Sequence, residues 1–220
     1  MFFNGVNLAV TELSIFLVIS YLFKTYYKFN LLNSISYYWI MFTMLTGIWE
    51  FFYIIHKKEV TIMSKILLDR RKHVWNSNYN FYDLLPNRFS KIFYSEYGAY
   101  ADKLYIVLRN RWSIVIEGTH CDLCAFISFV VVNMINFNIY LFYFFTTIAM
   151  SCQLMNSILY MSEYMIQTKE ISNPNFDSIH FPTGYLLSKR PFMWINIFWT
   201  IMPIYVIMNT CYNIILTNYS

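Results

Sequence analysis

The sequence predicts an all-α, polytopic membrane protein: a bundle of five transmembrane helices with an intramembrane cavity. Three observations lead there. Of 220 residues, 58% are hydrophobic and 13% charged, whereas soluble domains carry roughly 25% charged residues. Apolar stretches close to the ~20 residues needed to cross hydrocarbon recur along the chain. Glu50 and Glu117 lie inside two of them at similar depth, and a carboxylate in hydrocarbon is costly enough to be rare without a function.

The first span runs from Val6 to Phe23 and carries Glu12. The second runs from Ile35 to Ile55, the third from Trp112 to Asn133, the fourth from Phe137 to Met161 and the fifth from Phe192 to Leu216. A short polar break, Asn136 to Asn138, joins the third and fourth spans as a hairpin. Residues 57–111 read as a polar loop with short amphipathic pieces, Val60–Leu68 and Phe89–Tyr97, suited to the membrane interface. Residues 163–190 form a second loop, broken by Pro174 and Pro182. Residues 1–34 are then the first helix and its connection, and residues 35–216 a four-helix membrane domain.

Parity puts the N-terminus and both loops on one side of the membrane. Glu50 precedes the first loop by a few residues and Glu117 follows it by a few. At 1.5 Å per residue, both carboxylates lie about 9–11 Å deep from that side. Glu12, His120, Asn156 and Asn196 cluster toward the same side. Polar groups from several helices in one layer predict a binding cavity; Glu12 and Asn156 could instead snorkel or satisfy each other.

Other chemistries are disfavoured. The third span reads Glu117-Gly-Thr-His120-Cys121-Asp122-Leu-Cys124. On a regular helix Glu117, His120, Cys121 and Cys124 share a face, but one helix rarely supplies three metal ligands, so no metal is expected. The cysteines all lie in apolar spans and predict no disulfide framework. Catalytic Ser/His/Asp sets, phosphate loops and dinucleotide fingerprints are missing from the sequence, so no cofactor is expected. The net charge of +4 is spread out rather than gathered into a nucleic-acid surface. What remains is acid–base chemistry or binding of a hydrophobic molecule that enters from the bilayer.

Residues 35–216 resemble the emopamil-binding-protein family of sterol Δ8–Δ7 isomerases and its wider EXPERA-domain relatives. Asn196-Ile-Phe-Trp199-Thr-Ile-Met-Pro203 is similar to that family's Asn-x-x-Trp-x-x-x-Pro. Glu50 in Gly-Ile-Trp49-Glu50 and Glu117 in Ile-Val-Ile-Glu resemble its second- and third-helix glutamates. Ser95-Glu96-Tyr97 with Asp102-Lys-Leu-Tyr105 is similar to its loop motif, and Gln153, Leu159 and Tyr160 fit its fourth helix. The resemblance implies catalysis by Glu50, Glu117 and His120, with Thr46, Trp49, Tyr105, Gln153, Tyr160, Asn196 and Trp199 lining the substrate. It implies a sterol or other hydrophobic lipid as substrate, cationic amphiphilic amines as ligands, the endoplasmic reticulum membrane as location, and room for a homodimer.

The chain departs from the family at several positions. Thr46 stands where the isomerases have a histidine, Asn110 where they have an acid, Asn156-Ser157 where they have Gly-Asp, and His120 where they tend to have threonine. Either His120 takes over the missing histidine's place from the neighbouring helix, or catalysis is lost and ligand binding remains. Orientation is open too. All Lys and Arg except Lys24 and Lys28 lie on the loop side, which the positive-inside rule assigns to the cytosol; the orientation usual in the family would put that side in the lumen.

Overall fold

The computed structural model describes residues 3–107, 111–134, 138–167 and 191–219. They are mostly helical. In chain order come a short strand β1 (Phe3–Asn4), α1 (Gly5–Tyr26), α2 (Ser34–Asp69), strand β2 (Asn78–Tyr79), α3 (Pro86–Tyr100), α4 (Lys103–Ile106), α5 (Arg111–Thr119), α6 (Phe126–Met134), α7 (Ile139–Gln167) and α8 (Pro191–Tyr219). Two 3₁₀ turns, Val74–Asn76 and Phe81–Leu84, flank β2, and a π-helical segment, His120–Ala125, joins α5 to α6.

Among the described residues, four helices are long and apolar enough to cross a membrane: Gly5–Tyr26, Ser34–Asp69, Ile139–Glu163 and Trp194–Leu216. The third expected span, 112–133, is helical but divided by the π segment, and its uninterrupted apolar part is the shorter Leu123–Met134. The polar residues Glu117, His120 and Asp122 interrupt its hydrophobicity.

Asparagines start several helices. Asn4 accepts the N–H of Asn7 at 2.7 Å, Asn33 that of Ser36 at 2.9 Å, and Asn138 those of Tyr140 and Leu141 at 2.8 and 3.1 Å. Each satisfies donors that the first helical turn leaves unpaired. Asn80 and Asp83 form a reciprocal capping box on the second 3₁₀ turn.

The expected 57–111 loop is largely helical. Helix α2 continues past a break at His56 (φ −97°, ψ 16°) to Asp69. It does so because Val60, Ser64 and Leu67, spaced at i, i+4 and i+7, are buried on one face while Lys58, Glu59 and Lys65 are exposed. Average hydropathy falls through the lysines and hides that stripe. The expected 163–190 loop begins later than expected, since α7 extends to Gln167; Pro174, His180 and Pro182 lie outside the described residues.

The chain divides into two compact units, each made of several segments. One comprises residues 1–16, 49–115 and 162–194. In it β1 pairs antiparallel with β2, Phe3 opposite Tyr79 and Asn4 opposite Asn78. Gly5 is required beside this ladder, because a Cβ there would meet the Val74 carbonyl and lie 2.7 Å from the Trp75 Cα. His73 and Glu96 pair at 2.6 Å, and the second Glu96 oxygen accepts the Val74 N–H at 3.0 Å. The Tyr100 ring stacks on His73, and its hydroxyl reaches the carbonyls of Lys72 at 2.9 Å and Leu67 at 3.2 Å, two acceptors for its one proton. These bonds lock the 70–77 turn onto α3. Burial raises the Tyr100 pKa, with the negative charge of Glu96 adding to the effect, and burial raises that of Tyr79.

The other unit comprises residues 17–48, 116–161 and 195–220. Its core includes Phe29, Tyr37, Ile40, Phe142 and Met150, all fully buried. Phe29 packs against Tyr37 and Phe142 with ring centroids 4.8 and 5.5 Å apart. Asn209 and Tyr205 of α8 bond to Asn33, and Asn213 donates to the Leu31 carbonyl, so α8 holds the α1–α2 turn in place.

Candidate functional site

In the unit of residues 17–48, 116–161 and 195–220, three helices bring polar and aromatic side chains together. Thr46 of α2 and His120, the first residue of the π segment, meet with Oγ1 and Nε2 3.2 Å apart. Thr46 Oγ1 also lies 3.1 Å from the carbonyls of Phe42 and Thr43. A hydroxyl has one proton to give. With that proton on a backbone carbonyl, Oγ1 accepts from Nε2–H, and Nδ1 keeps the lone pair that a base needs.

Trp199 of α8 borders the pair. Its ring meets His120 edge-on at 5.0 Å, stacks on Phe42 at 5.6 Å, and lies 4.8 Å from Trp39. Aromatic faces carry negative potential, so such a cluster can stabilise a passing cation. Behind it runs a closed hydrogen-bond circuit. Trp39 Nε1 donates to Gln153 Oε1 at 2.9 Å, Gln153 Nε2 donates to Thr43 Oγ1 at 3.1 Å, and Thr43 donates to the Trp39 carbonyl at 3.0 Å. Polar groups at membrane depth need such partners, and these fix the rotamers of the aromatic wall. Asn156 of α7 donates to the Ile116 carbonyl just before the π segment. The π segment begins at His120; single π turns inside α-helices recur at functional sites. Of the four residues expected to share a face, Glu117 and Cys121 have side chains outside the described part of the structure.

In the unit of residues 1–16, 49–115 and 162–194, Glu50 is 1% exposed and accepts from the Tyr105 hydroxyl at 3.2 Å. Tyr105 is held in turn by Asp102, whose carboxylate accepts the Tyr105 N–H at 3.0 Å, and by packing on Tyr53 at 5.3 Å. A buried carboxyl held by a phenol is equipped to give or take a proton. Trp49 packs on Phe89 and Phe93, and its carbonyl accepts from Ser90. Its indole N–H is buried without a well-aligned acceptor; the Glu12 carboxyl is a polar neighbour.

Of the residues singled out from the sequence, His120 therefore meets both Thr46 and Trp199, and Gln153 joins Trp199 through Trp39. Glu50 and Tyr105 form a second pair. Tyr160 is buried on α7, and Asn196 is half-buried on α8, three residues before Trp199. The backbone of Glu117 is helical in α5, but its side chain, like those of Cys121 and Asp122, lies outside the described part of the structure, as does Asn110. Sequence reading missed Trp39, Phe42 and Thr43, although with Thr46 they form a stripe at i, i+3, i+4 and i+7 that periodicity could have revealed. No family model, curated protein or solved structure matches the chain.

Proposed function

We propose that the chain is an isomerase of the sterol Δ8–Δ7 type, with five transmembrane helices around an intramembrane cavity in the endoplasmic reticulum membrane. The observation that supports this reading most is the Thr46–His120 contact beside Trp199. The resembling family has a histidine at the Thr46 position; here an imidazole reaches that threonine from the neighbouring helix. The buried Glu50–Tyr105 pair adds a carboxyl suited to proton transfer.

In this reading an acid protonates the Δ8 double bond of a sterol, giving a tertiary carbocation. A base then removes a proton from the adjoining ring carbon and leaves the Δ7 double bond. One proton enters and one leaves, so the step balances without an oxidant or reductant. Glu50 and Glu117 carry the transfers, His120 assists, and the Trp199 and Trp39 faces steady the cation. Cationic amphiphilic amines bind because an ammonium mimics that cation.

The test is expression in yeast lacking its sterol isomerase, with sterol profiling. Restored growth and Δ7 sterols are expected, and Glu50→Gln or His120→Ala should each cut turnover by about 10²–10⁴-fold. The histidine-to-threonine exchange at Thr46 favours a second reading, a lipid- or amine-binding membrane protein without catalysis. Accumulation of Δ8 sterols in cells that contain the protein would select it.

A further inference from the structure

The turn between α1 and α2 carries a cleft of about 380 Å³ lined by Tyr21, Lys24, Thr25, Lys28, Asn30, Ser34 and Tyr38. Every one of these side chains bears an N–H or O–H donor and none is a carboxylate. Lys24 Nζ is fixed by a 2.7 Å hydrogen bond to Ser34 Oγ and sits 5.5 and 5.9 Å from the ring centres of Tyr37 and Tyr38. Lys28 caps the end of α1 in the left-handed region at φ 51°. The Phe29 N–H bonds back to the Lys24 carbonyl and the Lys28 N–H to that of Thr25, the double bond of a Schellman cap. This cap holds both lysine backbones to one turn.

Two ammonium groups thus line one cleft, and no acidic residue lies between positions 13 and 49. Among the described residues neither lysine forms an ion pair. Like charges without a counter-charge repel, and an anion between them removes that cost. The cleft sits where an apolar helix of membrane length ends, amid tyrosines typical of the interface. Lipid phosphates lie at that depth.

We propose that this cleft is a phosphate-binding site, with Lys24 and Lys28 as the charged ligands and the Ser34 hydroxyl and Asn30 amide as neutral ones. The inference does not depend on the isomerase reading.

The test uses the purified full chain in neutral detergent. Thermal stabilisation and bound lipid by native mass spectrometry are measured on titration with phosphatidylglycerol, phosphatidylcholine or inorganic phosphate. Stabilisation by phosphatidylglycerol beyond phosphatidylcholine supports the site with a lipid source; stabilisation by inorganic phosphate alone supports it with a soluble source. Lys24→Gln and Lys28→Asn should each weaken binding about fivefold, while Lys24→Arg should keep it. Lys28 is exposed and asparagine accepts its backbone conformation, so this variant stays informative where Lys24→Gln does not fold. The proposal is overturned when neither phosphate form binds, or when Lys28→Asn binds as tightly as the unaltered chain.

Discussion

Thr46 and His120 join two helices through one polar contact. Threonine bonds to its own helix backbone at i−4, as Thr43 does, so it fits the buried α2 face at small cost. Its oxygen then offers an acceptor to an imidazole on another helix. At the same scale, two residues hold an unfavourable backbone. Arg71, like Lys28, ends a helix with φ at 51°. Side chains with a Cβ pay about 1 kcal/mol or more there, and glycine does not. Arg71→Gly is therefore expected to stabilise the protein by about 1 kcal/mol, visible as a higher midpoint in thermal unfolding followed by tryptophan fluorescence.

At the level of elements, close helix approach in the first unit depends on Gly98. A Cβ at this position would lie 2.6 Å from the Ile106 Cβ and 2.6 Å from the Ser64 Oγ. Helix α3 thus meets α2 and α4 with no space for a methyl group. Ile106 also gives its carbonyl to Thr61 at 3.0 Å, so α4 cannot easily back away. Gly98→Ala should cost about 1–3 kcal/mol through overpacking, measured by chemical or thermal unfolding. A loss under 0.5 kcal/mol would show that the three helices shift apart freely. The π segment, His120–Ala125, is the other irregular element: it departs from regular α-helical hydrogen bonding where α5 meets α6.

For the whole molecule, the folding equilibrium couples to proton binding. Tyr79 and Tyr100 have raised pKa values in the folded chain, burial being the main cause. An unfolded tyrosine ionises near pH 10. Below that both states hold the phenolic proton and the stability is fully present. As pH rises through about 10 the unfolded state ionises first, so stability is lost until the folded groups titrate as well. Unfolding midpoints between pH 8.5 and 11.5 should therefore fall from about pH 10 upward, and Tyr79→Phe should flatten the decline. A flat profile for the unaltered chain would contradict burial of these phenols.

The sequence by itself determined the helical, membrane-type character of the chain. Long runs of Ile, Leu, Phe and Tyr with few charges can satisfy their backbone in hydrocarbon only as helices. It also marked Glu50 and His120, because polar groups stand out in an apolar span, and the polar break at Asn136 to Asn138 between two spans. Only tertiary structure decided the rest. The continuation of α2 through Lys57 and Lys58 depends on Val60 and Leu67 having something to pack against. The interruption of the third span depends on a π turn that no residue spacing encodes. The Thr46–His120 contact joins residues 74 positions apart, and the Trp39–Gln153–Thr43 circuit spans more than a hundred. Local composition specifies which groups must be satisfied; which partner satisfies them is settled when the helices pack.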